Sequence, residues 1–264
     1  MTLSQALVDL QGLAERLRRD CPWDREQTAA TIVPHTVEEA YEVADAVHAC
    51  DPAKLVDELG DLLYQVYFLA LLLEEEGRGD LEQVALSIHD KLVRRHPHVF
   101  APGGELRSPG EVKHRWEQLK TEQERREGVF HDVPESLPAL LYARKVQRRA
   151  AVVGFEYPDV EGALSDLQGE LRELSGAIDE HAAAPPETEP SPSHVQELGD
   201  VLFAAVNVAR RLNVDPELAC RWATQRFVTR VERAAVLAGE RGEDWARLDL
   251  EGQDRYYDLA KELE

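Results

Sequence analysis

The chain has 264 residues, of which 51 are Asp or Glu and 30 are Lys or Arg, so its formal net charge is −21. This excess of negative charge argues against a general nucleic-acid-binding protein, because such proteins need a basic face that displaces counterions from phosphates. An acidic protein that handles phosphates would most simply do so through a divalent cation. Apolar residues make up 43% of the chain, which is enough for one large globular domain or two ordinary ones.

Residues 1–19 predict a charged amphipathic helix rather than the uninterrupted apolar core of a signal peptide. The three cysteines are widely spaced and form no CxxC pair, which argues against a disulfide framework or a zinc–thiolate site. The longest nearly apolar run, residues 62–73, is too short to span a bilayer. We therefore expect a cytoplasmic protein that binds neither membranes nor nucleic acid.

Helical periodicity dominates the chain, and no pair of alternating runs predicts a β-hairpin. The apolar residues between positions 59 and 70 follow the spacing i, i+3, i+4, i+7, i+11 of one helical face. Capping patterns predict helix starts at Thr36-x-x-Glu39, Asp80, Ser108-Pro109-x-Glu111, Ser193-x-x-Gln196 and Asp215-Pro216. The predicted fold class is all-α.

The two halves of the chain repeat one another. Residues 58–63, ELGDLL, recur as residues 197–202, ELGDVL, and Lys91 and Arg95 then correspond to Arg226 and Arg230 at one constant offset. This repetition predicts two tandem four- or five-helix bundle units, residues 1–130 and residues 131–264. A Pro-rich stretch at about residues 182–193 predicts a mobile loop in the second unit.

Each unit carries four carboxylates in two i, i+3 pairs. These are Glu39 and Glu42 with Glu58 and Asp61 in the first unit, and Glu170 and Glu173 with Glu197 and Asp200 in the second. Residues three apart lie on one helical face, so two adjacent helices would gather four acids in one pocket. Four unpaired carboxylates cannot all stay ionised there unless a cation neutralises them. Because only oxygen ligands are offered, the pattern favours Mg²⁺, with Mn²⁺ as the alternative, over zinc.

A single acidic pair at this spacing means little in so acidic a chain, since chance alone gives about ten such pairs. Most acids of this kind belong to solvated helix faces, and Glu39 could simply serve a capping box with Thr36. Two features favour a metal site instead. Glu58 and Asp61 interrupt an otherwise apolar helix, and the same pairing recurs in the second unit.

Five strings point to a protein family. They are CPWD at residues 21–24, EEAYEV at residues 38–43, the two ELGD segments, RRHPHVF at residues 94–100 and Gly154-Phe155. Together they resemble a MazG-type nucleoside triphosphate pyrophosphohydrolase in its long form, with two tandem units, over nearly the whole chain. The resemblance implies an all-α, homodimeric, Mg²⁺-dependent enzyme of nucleotide-pool housecleaning that cleaves (deoxy)nucleoside triphosphates to the monophosphate and pyrophosphate. It also implies that the two carboxylate quartets are the metal ligands.

The reaction implied by this resemblance needs a water molecule activated by the metal site and cations for the outer phosphates. Glu39 or Glu170 would orient the water or take its proton. Substrate-binding residues are expected to be Lys91, Arg94, Arg95, Asn207, Arg226, Arg230 and Tyr257. For the cations, the alternative interpretation is a basic helix end that complements the helix dipole.

The second site is expected to be the main catalyst, and the first is expected to be either active or regulatory. Asn207 lies seven residues after Asp200 on the same helical face and can hydrogen-bond a base or sugar, whereas the matching residue of the first unit is Phe68. Departures from the family pattern at Gly169, Thr224, Arg226 and Tyr257 bear on the substrate range more than on metal binding.

Two alternatives stay open. One is a narrower all-α pyrophosphohydrolase, dUTPase-like or phosphoribosyl-ATP-cleaving, and the other is a non-catalytic scaffold that binds nucleotides. The tandem repeat favours the broad type over the first alternative, and the intact quartets argue against the second. The pattern Glu111-x-x-His114 is interpreted as a surface helix. Trp23 and the other three tryptophans are interpreted as core or interface anchors rather than base-stacking residues.

Overall fold

The computed structural model describes residues 1–100, 108, 112, 128–130, 133–180 and 190–263. Every regular element among these residues is helical, so the predicted all-α fold class is confirmed. The chain separates into two compact units, Met1–Glu124 and Arg125–Glu264. The sequence boundary at residues 130 and 131 stays a prediction, since residue 131 lies outside the described ranges. Among the described helices, none combines the length and the apolar character needed to cross a membrane.

The first unit is organised around a long helix pair. Within residues 1–100 its helices are α1 (Leu3–Asp20), α2 (Pro22–Glu26), α3 (Ala29–His48), α4 (Pro52–Glu75), α5 (Leu81–Arg95) and α6 (Pro97–Phe100). Helix α3 packs along α4, and α1 also packs on α4. Ile32 of α3 is buried against Phe68 and Leu72 of α4. This apolar contact holds the two acid-bearing helices side by side.

The second unit repeats the paired arrangement. Its helices are α7 (Ala139–Val152), α8 (Val160–Glu180), α9 (Pro192–Arg211), α10 (Pro216–Glu240) and α11 (Leu250–Glu262), with a 3₁₀ turn at Trp245–Arg247. Helix α8 packs along α9, and α10 packs along α11. Small residues of α10, Ala234 and Ala238, allow the buried ring of Tyr256 on α11 to approach closely. Most of the predicted loop at residues 182–193 lies outside the described residues.

Two of the predicted helix starts are confirmed. The Asp80 carboxylate accepts a hydrogen bond from the backbone N–H of Gln83 at the start of α5. The Asp215 carboxylate accepts from the N–H groups of Glu217 and Leu218, and the residue after it is the first of α10. In both cases an acidic side chain satisfies N–H groups that have no partner within the helix.

The predicted helix start at Thr36 is wrong. Helix α3 begins directly after Thr28, because Thr28 and Thr31 cap one another reciprocally through their hydroxyls and backbone N–H groups. Thr36 lies inside this helix, where its hydroxyl donates to the backbone carbonyl of Ile32. The Thr-x-x-Glu pattern is therefore an internal helical segment, and Glu39 has no capping role.

The predicted start at Ser193 is wrong by two residues. Helix α9 begins at Pro192, with Ser191 as the residue before it, and the Ser191 and Ser193 hydroxyls lie 2.8 Å apart. Proline at the first helical position has the backbone φ that a helix requires, which explains the earlier start. Of the predicted helix near Ser108, the residues Pro109, Glu111 and His114 lie outside the described part of the chain.

Candidate metal centre

The first carboxylate cluster lies where α3 packs on α4. One carboxylate oxygen from each of Glu39, Glu58 and Asp61 lies within 4.8 Å of one from each of the others. The side chain of Glu42 makes a hydrogen bond with that of Glu58. Glu58 is only 6% exposed. The structure therefore brings the four acids of the first unit together, three of them around one point.

The electrostatics of this cluster follow from crowding and burial. Partial burial, followed by the negative charges of Asp61 and Glu42, raises the pKa of Glu39. Burial and the hydrogen bond with Glu42 raise the pKa of Glu58. Lys54 offsets part of this charge, since its Nζ lies 3.7 Å from Oε1 of Glu58. Carboxylates that resist ionisation in this way fit a divalent cation, which would stabilise their charged forms.

The second cluster lies where α8 packs on α9. Carboxylate oxygens of Glu170, Glu197 and Asp200 lie within 4.8 Å of one another. Partial burial, followed by the charges of Glu173 and Asp200, raises the pKa of Glu170. The four predicted acids of this unit thus lie close enough for their charges to interact. Both clusters offer only carboxylate oxygens, the ligands that hard cations such as Mg²⁺ and Mn²⁺ prefer.

The side chains around the two clusters differ in charge. When the ELGD segments are aligned, Lys54 of the first unit corresponds to Ser193 of the second. The residue that places a positive charge beside Glu58 is therefore replaced by a neutral hydroxyl at the equivalent position of α9. The second cluster therefore lacks, at this position, the positive charge that lies beside Glu58 in the first.

Asn207 belongs to a hydrogen-bonded network on α9. Its Oδ1 accepts hydrogen bonds from Nη2 of Arg210 at 2.6 Å and from Nε of Arg210 at 3.2 Å. The same guanidinium donates to both carboxylate oxygens of Glu156, each at 2.6 Å. Because a guanidinium has donors only, the amide oxygen of Asn207 must face Arg210. The amide NH₂ of Asn207 then faces the other way.

The corresponding position of the first unit has a different role. Phe68 is 1% exposed and packs in the core with Ile32 and Leu72. Asn207 lies seven residues beyond Asp200, about 10.5 Å along the helix at 1.5 Å per residue. The second unit therefore offers an amide two turns from its cluster, where the first unit has a buried ring.

The other predicted substrate residues lie on different helices from the carboxylates. Lys91, Arg94 and Arg95 lie in the last two turns of α5, Arg226 and Arg230 on α10, and Tyr257 on α11. The ring of Tyr257 lies 5.8 Å from that of Phe227 and 5.6 Å from Nζ of Lys261. The contact with Phe227 joins α10 to α11. The role of all six residues in substrate binding stays a prediction.

Two aromatic residues near the clusters were not predicted as site residues. Trp23 is 55% exposed, so it is not a core anchor of this chain, and its interpretation as an interface anchor stays a prediction. Its ring lies 6.2 Å from the ring of His35 on α3. In the second unit the Tyr157 hydroxyl donates to Oδ1 of Asp166 on α8 at 2.8 Å. The sequence does contain a pattern that points to the partners of these two aromatic residues, since His35 and Asp166 each precede the first acid of a quartet by four residues.

Comparison with known proteins identifies relatives of the chain. A family model described as the MazG nucleotide pyrophosphohydrolase domain matches residues 27–100. A protein of Escherichia coli (strain K12) named nucleoside triphosphate pyrophosphohydrolase is 40% identical over 261 residues, covering 97% of both chains. A Thermotoga maritima protein named nucleoside triphosphate pyrophosphohydrolase/pyrophosphatase MazG is 37% identical, covering 96% of this chain and 94% of its own. The crystal structure of a mazG-related protein from Thermotoga maritima is 31% identical with a TM-score of 0.38, covering 43% of this chain and 97% of that one.

Proposed function

The chain belongs to the MazG family of nucleoside triphosphate pyrophosphohydrolases, and from this premise we propose how its two carboxylate clusters serve that activity. The enzyme hydrolyses nucleoside triphosphates, and the proposed products are the monophosphate and pyrophosphate. The observation that supports this proposal is the convergence of three carboxylates in each unit. These residues are Glu39, Glu58 and Asp61 in one unit and Glu170, Glu197 and Asp200 in the other.

We propose that both clusters hold Mg²⁺ through these residues, with Glu42 and Glu173 completing the quartets. When bound, the metal would supply charge neutralisation for the triphosphate and would lower the pKa of a water molecule. Support comes from the crowding of the acids, which raises the pKa of Glu39, of Glu58 and of Glu170. A polyphosphate and such a cluster repel one another, and a bound cation would offset this repulsion.

Within each cluster, one carboxylate is proposed to orient the attacking water and accept its proton. Glu39 and Glu170 fit this role because they are half-buried and occupy equivalent positions in the two units. Each of them places a carboxylate oxygen in its cluster, where a carboxylate within hydrogen-bond reach of the water can accept the proton.

We propose that the second site is the main catalyst and that the first is a weaker or regulatory site. Asn207 supports this ranking, since it offers amide N–H donors on the helix that carries Glu197 and Asp200. The corresponding Phe68 is buried and cannot contact a base or sugar from the core of its unit. The second site therefore has a polar group for reading the nucleoside that the first site lacks at this position.

The basic residues Lys91, Arg94 and Arg95 of the first unit, with Arg226 and Arg230 of the second, are proposed to bind the outer phosphates. Guanidinium groups can contact phosphate oxygens in pairs, whereas the lysine ammonium acts as a point charge. Tyr257 is proposed to contact the nucleoside. Its ring is held by Phe227 and Lys261, so it would not need to be ordered when the substrate binds.

An assay across a panel of nucleotides tests this function. We expect equal amounts of monophosphate and pyrophosphate when Mg²⁺ is supplied, from several ribo- and deoxyribonucleoside triphosphates. Release of phosphate in place of pyrophosphate would contradict the proposed bond cleavage. Turnover of dUTP alone, or of phosphoribosyl-ATP alone, would identify one of the narrower enzymes.

A homodimer is also proposed. The helices α4 and α9 leave several apolar side chains exposed, among them Leu59, Leu63, Leu198 and Leu202. We expect light scattering at micromolar concentration to give twice the monomer mass of 29.7 kDa. The substitution Leu63→Glu should shift the mass toward the monomer, because a charge would be buried in the interface. A monomeric wild-type protein would refute the proposal.

We also propose that the protein is cytoplasmic. Cys21, Cys50 and Cys220 are all free thiols in the structure. Free thiols are expected of a protein that works in a reducing compartment.

A further inference from the structure

Trp23 is an exposed aromatic side chain on a fixed segment. It belongs to the short helix α2, whose end is held by Arg18 of α1. The Arg18 guanidinium donates to the backbone carbonyl of Asp24, to that of Gln27 at 3.0 Å, and to both carboxylate oxygens of Glu75 at 2.8 Å. A large apolar ring left in solvent on an anchored segment forgoes the stabilisation of burial. This feature favours a role in binding.

The position of Trp23 connects it to the first cluster. Its ring meets the ring of His35 at a centroid distance of 6.2 Å and an interplanar angle of 61°. His35, Glu39 and Glu42 have the spacing i, i+4, i+7, which places them on one face of α3. The residue that Trp23 contacts therefore lies about one helical turn, or about 5.4 Å, from the cluster along that face.

His35 also lies close enough to the cluster to interact with it. Its Nδ1 lies 3.2 Å from Oε2 of Glu38, and its positive form acts on the carboxylate of Glu39. The Trp23–His35 pair is thus part of the surroundings of the acids rather than a remote surface feature.

The second unit repeats this arrangement with different residues. Asp166 precedes Glu170 by four residues, just as His35 precedes Glu39 in the first unit. Tyr157, which comes before α8, donates its hydroxyl to Asp166 at 2.8 Å. Its ring packs so closely on Gly162 that a methyl group there would lie 3.2 Å from Cδ1 of the ring. In both units, therefore, an aromatic side chain contacts the residue that lies one helical turn before the first acid of the quartet.

We propose that Trp23, supported by His35, is the stacking surface for the base of a nucleotide whose phosphates lie at the cluster of Glu39, Glu58 and Asp61. This inference rests on the proposed function of that cluster. The ribose separates the base from the phosphates, so a stacking surface is needed beside the acids rather than among them. Stacking accepts every base, since each base has a π-face, and so it suits a site of broad specificity.

The test measures binding at the first site alone. In a full-length background with Glu197→Gln and Asp200→Asn, which disables the second cluster, calorimetry follows the binding of two probes with Mg²⁺ present. The probes are the α,β-methylene analogue of ATP, which resists cleavage at the reacting bond, and inorganic tripolyphosphate, which has no base. We expect Trp23→Ala to weaken binding of the nucleotide analogue about 10-fold and to leave tripolyphosphate binding unchanged. Trp23→Phe should restore most of the nucleotide affinity.

Other results would overturn the inference in distinguishable ways. Equal binding of the analogue by the parent and by Trp23→Ala, with tripolyphosphate still bound, would remove the stacking role and leave the cluster's function intact. Failure of tripolyphosphate to bind in the parent background would overturn the proposed function of the first cluster, and the stacking role with it. A change of mass in Trp23→Ala by light scattering, with equal loss of both probes, would identify Trp23 as an interface anchor instead.

Discussion

We expect the substitution Glu197→Gln to lower the rate of pyrophosphate release by at least about 100-fold, whereas Glu58→Gln lowers it by about 2-fold at most. Loss of a residue that only supports a metal ligand costs about 10- to 100-fold, and loss of a ligand itself should cost no less. A loss of about 2-fold in Glu58→Gln would require equal contributions from the two sites, and the weaker first site should contribute much less than that. Steady-state pyrophosphate release on both variants gives the comparison.

The two variants control one another, because Glu58 and Glu197 occupy the same position of the two ELGD segments. Glutamine keeps the shape of the side chain and removes its charge. Since burial and Glu42 raise the pKa of Glu58, the charged form of this residue is disfavoured in the folded protein. We therefore do not expect Glu58→Gln to lower the unfolding temperature of the metal-free enzyme, so an effect on turnover would not reflect loss of the fold.

The reverse result would invert the ranking of the sites. If Glu58→Gln abolished turnover and Glu197→Gln left it intact, the first unit would be the catalyst, and Asn207 would not identify the active site. Loss of activity in both variants would mean that neither site works without the other.

The convergence of the acids is the part of the site that sequence reasoning describes best. Residues at i and i+3 share a helical face whatever the tertiary structure. The acids then meet as soon as α3 packs beside α4, and α8 beside α9. The structure does bring Glu39, Glu58 and Asp61 together. Their role as metal ligands stays a prediction.

Helix starts were predicted correctly only where a single aspartate caps the helix. Asp215 followed by Pro216 gives a start that the structure confirms. The predicted start at Thr36 was wrong because a threonine three residues before a glutamate also occurs within helices. The pattern alone does not show which threonine lies beside backbone N–H groups that have no partner within the helix. The Thr28–Thr31 pair supplied the cap instead.

Ion pairs between distant residues that belong to no repeated pattern could not be predicted. Arg210 and Glu156 are 54 residues apart, and no periodicity links them. The same holds for Arg18 and Glu75, which are 57 residues apart. Such pairs depend on how the helices pack, so the orientation of the Asn207 amide became visible only in the structure.

The orientation of Asn207 leads to the second prediction. We expect Asn207→Asp to raise the KM for nucleoside triphosphates about 10-fold while the unfolding temperature stays the same or rises. The aspartate keeps an oxygen toward Arg210 and gains a charge-assisted contact with it. It loses the NH₂ that faces away from Arg210, and a lost hydrogen bond of about 1 to 1.5 kcal/mol corresponds to a change of about 5- to 10-fold. Steady-state kinetics and thermal unfolding measure the two effects.

Repulsion between the new carboxylate and the substrate phosphates needs its own control. Salt screens exposed charges, with a screening length of about 3 Å at 1 M, whereas it does not restore a missing donor. The increase in KM should therefore persist at high ionic strength, measured against the wild type under the same conditions. Asn207→Leu adds a variant of similar size that has neither the charge nor the donor.

The KM of Asn207→Asp separates a binding role from a structural one, because both roles predict an unfolding temperature that stays the same or rises. If Asn207 served only to hold Arg210 and Glu156 together, the aspartate would serve at least as well, and the KM would not change. If its NH₂ contacts the nucleoside, the variant that binds Arg210 more strongly is the one that binds the substrate more weakly. A stable Asn207→Asp enzyme with unaltered KM at every ionic strength would exclude Asn207 from the substrate site.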